Sequence, residues 1–141
     1  PLSIRLSTLS IPDALPIYRH ESLRTGFEVV EDAPVQIIHD RIDFNIDYVD
    51  FSKRSDIKQA LKEEDRKADN HIFDLTKPPL IYVKLIKISE NEHAMISIVH
   101  HIVSDGWTIG VLLQEVMGNY KNNCLNVTTT EPELTIQYKD F

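Results

Sequence analysis

His100 and His101 stand side by side in the run His100-His101-Ile102-Val103-Ser104-Asp105-Gly106, with a carboxylate four residues after the second imidazole. An imidazole titrates near neutrality, with a reference pKa of about 6.5, so it can take a proton from an attacking amine. Neighbouring side chains on an extended strand point to opposite faces, so the two rings cannot easily share one metal ion or one substrate. One is expected to be structural and the other to face a cavity. His101, at the strand's end where the chain turns, is the better placed for the cavity. Gly106 would leave room for close approach of a backbone or a ligand arm. Each residue also has a plainer reading. Two histidines ending a buried strand can be satisfied core groups, and Asp105 can be the N-cap of a following helix, accepting from a backbone N–H near Thr108. A zinc site would need further ligands, and none recurs nearby at ligand spacing. For the histidines alone, the plainer reading is the more economical.

The elements that must position this run follow from periodicity. Leu80 to Ile88 and His93 to His100 read as a strand pair across Ser89-Glu90-Asn91-Glu92. The second strand is apolar on both faces (Ile96 and Ile98 against Met95 and Val99), as expected of a central, covered strand. A helix from Trp107 to Tyr120 follows, with Ile109, Leu112, Leu113, Val116 and Tyr120 at helical spacing. Upstream, Phe27 to Val30 and Val35 to Ile38 predict a hairpin across Glu31-Asp32-Ala33-Pro34, and Phe44 to Phe51 another strand. Ser55 is the expected cap of a helix to about Ala68, with Ile57, Leu61 and Ala68 buried and Glu63, Glu64, Arg66 and Lys67 in water. Phe73 to Pro79 reads as a rigid loop and Cys124 to Glu131 as a polar, mobile one. Leu2, Ile4 and Leu6 alternate as in a short strand. Pro12 and Pro16 spoil the start of a helix leading into Arg19. The mixed order of elements gives an α+β fold, an α/β sandwich.

The 141 residues suffice for one domain with a core, and 42% hydrophobic and 26% charged residues are ordinary for a globular protein. A net charge of -7 argues against a nucleic-acid surface. No run of about twenty apolar residues exists to span a membrane. Pro1 to Ser10 lacks the layout of a secretory signal. The single cysteine, Cys124, cannot form an internal disulfide, which suits a reducing cytoplasm. A start at Pro1 and an end at Phe141 lead us to expect a piece of a longer chain. Within the stretch 8–17, Thr8-Leu9-Ser10-Ile11-Pro12-Asp13-Ala14-Leu15-Pro16-Ile17 resembles the conceptual translation of a common sequencing adapter, departing only at Ile11 and Pro12. A read-end artefact and a natural proline loop are both open readings of it; an unchanged read across codons 1 to 20 would eliminate the first.

Four segments, in order, carry a resemblance. His100 to Gly106 matches HHxxxDG, and Arg19-His20-Glu21-Ser22-Leu23-Arg24-Thr25-Gly26-Phe27 matches RHExLRTxF at every specified position. Phe73-Asp74-Leu75 with Pro79-Leu80 resembles FDLxxGPL, with Pro78 where Gly is usual. Ile136 to Phe141 resembles IQYxDY. Over about residues 18 to 141 the chain resembles the N-terminal half of a condensation domain of nonribosomal peptide synthetases, within the chloramphenicol-acetyltransferase-like superfamily. Tyr82 departs from the Arg that many members carry there, and residues before Tyr18 do not match.

The resemblance implies a half-domain with a mixed sheet covered by helices, residues 1–141 forming the N-terminal subdomain. It implies an acyltransferase in the full-length parent that joins a donor acyl thioester to an acceptor aminoacyl thioester. Both are carried on phosphopantetheine of peptidyl carrier proteins, upstream and downstream. His101 would be the catalytic residue, either as a base or as a group holding the amine and the tetrahedral intermediate. His100, Asp105, Arg19 and Arg24 would be structural parts of the motif, and Gly106 and Trp107 would line the substrate channel. No metal or directly bound cofactor is implied. The missing C-terminal half and an adenylation domain are the further partners, in the cytoplasm, with no nucleic acid and no membrane. Asp105 is expected to turn from the cavity and pair with Arg19, with Arg24 as second choice, because either charge would be costly to bury alone.

Rivals remain. Gly106-Trp107-Thr108 fits condensation better than epimerisation, cyclisation domains replace the histidines with aspartates, and the RHESLRTGF segment counts against an HHxxxDG O-acyltransferase. A non-catalytic fragment or interaction module is the reading of another class. Because half a tunnel cannot align two substrates, the 141-residue piece alone is predicted to form no peptide bond. Mixed with two loaded carrier proteins, it should give no dipeptide above the uncatalysed background; any excess refutes this.

Overall fold

The computed structural model describes residues 16–127 and 134–140. The expected strand at Leu2 to Leu6, Pro12, and most of the adapter-like stretch lie outside the described residues; of that stretch only Pro16 and Ile17 are described, both buried. Among the described residues, five strands and three α-helices follow in the order α1 (Pro16–Arg19), β1 (Thr25–Val30), β2 (Ala33–Ile38), β3 (Asp47–Asp50), α2 (Ile57–Asp69), β4 (Ile81–Ser89), β5 (Glu92–Val99) and α3 (Gly106–Cys124). Short 3₁₀ turns occupy Glu21–Arg24 and Tyr138–Asp140.

β1 and β2 form the expected antiparallel hairpin, but through a tighter turn. Glu31 and Asp32 both take positive φ, 50° and 61°, and Ala33 already pairs with Val30. Two left-handed residues match the twist of the flanking strands, so a two-residue turn replaces the four-residue one read from the sequence. The other sheet has the order β3-β4-β5, with β3 parallel to β4 and β4 antiparallel to β5. It is therefore β4, not β5, that is central. The expectation of a central second strand is corrected: β5 pairs only with β4 among the described residues, and Met95 is 45% exposed. The strand expected over Phe44 to Phe51 shrinks to four residues.

Cover on β5 is uneven: Met95 and Ser97, on the face away from α2, are exposed, and from that face Val99 at its end packs into the core. One face packs under α2, where Phe51, Ala60 and Ile86 are buried with Ala94 and Ile96 against them. The other receives α1 and α3, where Ile17, Leu23 and Leu112 are buried against Ile81 and Val99. This is a helix–sheet–helix sandwich, as the composition of elements requires.

α2 departs from expectation at its start. Asp56, not Ser55, is the N-cap residue, and it makes no side-chain cap bond because both its carboxylate oxygens are taken by Arg54 at 2.8 Å. Glu64 is not simply in water either. It bridges Lys67 on its own helix (2.6 Å) and Lys84 on β4 (2.5 Å), and these two hydrogen bonds lower its pKa.

The loop after α2 is held by Asp74, whose carboxylate accepts from Thr76 N and Oγ1 and pairs with Lys77 at 2.9 Å. These bonds, led by that from Thr76, pull the Asp74 pKa down to about 2. The loop lies on β1, where Phe27 N donates to Leu75 O at 2.8 Å. Gly26 makes this approach possible: a Cβ there would sit 3.1 Å from Pro78 Cδ and 3.2 Å from Thr76 O. Gly26→Ala should destabilise the protein by about 1–3 kcal/mol, the usual cost of overpacking. Urea unfolding tests this, and an unchanged or raised midpoint would contradict it.

Candidate active site

β5 ends at Val99, and the chain turns through residues 100–105 into α3. His100 N still donates to Leu80 O at 2.9 Å, continuing the ladder by one residue. The His100 ring lies edge-on to Phe73 with centroids 5.9 Å apart, and its Nδ1 accepts the Ile102 N–H at 3.1 Å. An Nδ1 that accepts carries no proton, so the neutral ring holds its proton on Nε2. His100 is thus tied into the turn.

His101 is exposed, and among the described residues it has no hydrogen bond or ion pair. The floor of the loop is firm beneath it: Val103 is 1% exposed, Ser104 3%, and Ser104 Oγ donates to His100 O at 3.2 Å. A cavity of about 200 Å³ lies on the inner side, lined by Ile102, Val103, Glu21, Thr25 and Phe27 among others. It falls below the roughly 300 Å³ of ordinary small-molecule sites, so it is a hollow under the loop rather than a substrate chamber.

Asp105 is where expectation and structure part. Its carboxylate accepts from Thr108 N at 2.8 Å and from Thr108 Oγ1 at 2.7 Å, while Thr108 Oγ1 accepts from Asp105 N at 3.3 Å. That is a capping box closing the first turn of α3. Asp105 is exposed and pairs with neither Arg19 nor Arg24, so the expected bridge is overturned in favour of the helix-cap alternative. The physical reason is proximity. The free N–H groups of a helix start lie within reach of the cap residue, and an exposed carboxylate needs no cation to neutralise it.

Arg19 and His20 instead meet Glu115, a residue that sequence reasoning passed over. Arg19 Nη1 ion-pairs with Glu115 Oε1, and His20 Nε2 lies 2.9 Å from Glu115 Oε2. Only 10% of the Glu115 side chain is exposed. Burial lowers the His20 pKa and the neighbouring Arg19 charge lowers it further, so His20 donates a neutral N–H while Arg19 supplies the countercharge. The remaining side chains of the segment are also engaged. Glu21 pairs with Lys139 at 2.5 Å, and Arg24 Nη1 donates to His39 O at 2.8 Å, at the end of β2. Gln137 bonds the backbone on both sides of His20, donating to Arg19 O at 3.2 Å and accepting from Glu21 N at 3.1 Å. Two of the segments singled out in the sequence therefore bind each other directly. A clue to Glu115 existed: it is the one acidic residue in α3, between Leu112 and Val116 on the inward stripe.

Gly106 and Trp107 open α3. No atom lies within 4 Å of where a Gly106 Cβ would be, and Trp107 is 83% exposed. Only Leu112 of α3 is fully buried; Leu113 and Met117 face outward. Tyr82 donates to Asp47 Oδ2 at 2.9 Å and stacks on His71, occupying the place where an arginine was expected by resemblance.

The capping bonds hold the Asp105 pKa below its ordinary 3.8. A depressed folded pKa means that the stabilisation is complete above 3.8 and disappears as pH falls through the folded value. Asp105→Ala should therefore lower the melting temperature at neutral pH, Asp105→Asn should lower it less because an acceptor remains, and the advantage of Asp105 over Asn should shrink as the pH falls below 3.8. Melts of the three proteins from neutral to acidic pH measure this; equal melting of all three at pH 7 would contradict the cap.

The family model for the Condensation domain matches residues 14–141. Gramicidin S synthase 2 of Aneurinibacillus migulanus is 42% identical over 127 residues, covering 89% of this chain and 2% of the relative. Surfactin synthase subunit 1 of Bacillus subtilis is 40% identical over 125 residues, covering 89% of this chain and 3% of its own length. The chain thus spans only a small part of these curated relatives. Among solved structures, the epimerization domain from the third module of tyrocidine synthetase B superposes with a TM-score of 0.82 at 19% identity, over 98% of this chain and 32% of that one. The starter condensation domain of rhizomide synthetase superposes with a TM-score of 0.81 at 22% identity, over 92% and 31%. These likenesses show a chloramphenicol-acetyltransferase-like fold. Matched by the family model from residue 14 to its last residue, the chain belongs to the Condensation domain family.

Proposed function

We propose that this chain is the N-terminal subdomain of an amide-forming acyltransferase, and that His101 is its catalytic residue. The observation that carries this is the unequal fate of the two adjacent imidazoles. His100 is spent on Ile102 and Phe73, whereas His101 is presented outward on a loop whose floor is buried. In the reaction, the amine of an acceptor aminoacyl thioester attacks the carbonyl carbon of a donor acyl thioester. A C–N bond forms, the C–S bond breaks, and the sulfur leaves as thiolate. His101 accepts the hydrogen bond of the attacking amine, takes its proton as the tetrahedral intermediate forms, and passes it on to the thiolate. No carboxylate of the described chain bears on the ring, so the arrangement lacks the third member of a catalytic triad. An α-amine and a thioester need little activation, and alignment supplies most of the rate.

Open space over Gly106 and the outward Trp107 suit a channel wall for the phosphopantetheine arms of upstream and downstream carrier proteins. Asp105 serves the channel only by capping α3. The C-terminal half of the domain would supply the opposite wall, and an adenylation domain would load the acceptor carrier. Cys124 is exposed and has no second cysteine to pair with, which fits a reducing cytoplasm. No helix among the described residues is long and apolar enough to cross a membrane.

In the full-length protein, His101→Ala should cut product formation by roughly 10²–10⁴-fold with little change in melting. His100→Ala should chiefly destabilise, because it orphans the Ile102 N–H and empties the place beside Phe73. Dipeptide formation between two loaded carriers and thermal melting are measured on both. A fully active His101→Ala protein overturns the assignment.

A further inference from the structure

We propose that Glu115 is a positioning residue of the His101 centre: by gripping Arg19 and His20 it fixes the direction of α3, and α3 aims the loop that presents His101. This rests on the role given to His101 above.

Asp105 bonds forward to Thr108, so the end of the loop and the first turn of α3 move as one body. Something beyond that body must hold it in place. Apolar packing is thin, since Leu112 is the one fully buried side chain of α3 and Trp107, Leu113 and Met117 are exposed. Val103 and Ser104 fix the loop's floor but not the tilt of the helix behind it. Glu115, one turn beyond Leu112, supplies a polar tie from α3 across to Arg19 and His20. Its opposite jaw is itself rigidly held, with Gln137 bonded to the backbone at Arg19 and Glu21 and Lys139 paired with Glu21. Glu115 lies ten residues from Asp105, a distance of about 15 Å along the helix at 1.5 Å per residue. A tilt of about 4° over that length moves the capped end by about 1 Å, and a misplacement of that size can cost about 10²-fold in rate.

The test uses the full-length protein with two loaded carrier proteins and the variants Glu115→Gln, Glu115→Ala, Arg19→Ala, the Arg19→Ala/Glu115→Ala double variant and His101→Ala. We expect kcat to fall roughly 10-fold in Glu115→Gln, which keeps shape and loses charge, and roughly 100-fold in Glu115→Ala. KM for both carriers should stay within about two-fold, because binding groups are untouched. The double variant should be no slower than the slower single one, because both remove the same contact. Full rate in both Glu115 variants, losses that multiply in the double variant, or losses that equal the unfolded fraction would each overturn the proposal. Should Glu115→Ala fail to fold, Glu115→Gln decides alone. An inactive His101→Ala beside fully active Glu115 variants removes this proposal only. An active His101→Ala removes the catalytic centre and this proposal with it.

Discussion

A carboxylate withdrawn from water must have cations and donors within reach, since an unpaired buried charge costs several kcal/mol. Glu115 imposes that constraint on everything around it. It sits on the inward stripe of α3, and its demand is met by two consecutive side chains, Arg19 and His20, from the other end of the chain. Arg19 brings a permanent charge, and His20 brings a neutral donor because burial depresses its pKa. With that grip closed, Ile17, Leu23 and Leu112 come together as one apolar cluster on the sheet. Gln137 and Lys139 then close over the same segment from residues 134–140. Three stretches far apart in sequence thus converge behind the loop that carries His101.

The two histidines show how a strand end can divide labour between neighbouring residues of the same type. His100 stays on the α2 side with Phe73, one step from the stack of His71 on Tyr82. His101 comes after the last ladder bond, at Leu80 O, where strand alternation no longer dictates its direction. The structural ring supplies an acceptor to the turn, and the turn carries the other ring outward.

Legibility in the sequence followed the range of the interactions. Local signals read well: the hairpin of β1 and β2, the pair of β4 and β5, the helix α2, and the cap at Asp105 offered as its plainer reading all appear in the structure. What failed depended on partners elsewhere in the chain. Pairing Asp105 with Arg19 assumed that two charged residues in recognisable segments must satisfy each other, whereas each had a nearer or more deeply buried claimant in Thr108 and Glu115. The central position of β4 rather than β5 could not be read from apolar content, because β5 carries apolar residues on both faces while lying at the edge of the described sheet. The cap of α2 falls one residue later than Ser55, on Asp56, whose carboxylate Arg54 holds. The family resemblance of residues 100–106 and 19–27 was plain at once, but the tie between those segments runs through a glutamate outside both.

The separation between the two halves of that tie has a consequence for assembly. β4 and β5 are joined by two residues, so the hairpin that ends in the His101 loop closes a short loop at small entropic cost. The bond from His20 to Glu115 spans 95 residues, and β3 reaches β4 only across the whole of α2. Contacts of such long sequence separation are formed slowly because their closure entropy must be met before they return any energy. The hairpin that leads into the His101 loop is therefore expected to form early, and the tie between His20 and Glu115 late. A chain released or stalled between those two events would carry every residue of the proposed centre without the long-range tie behind it.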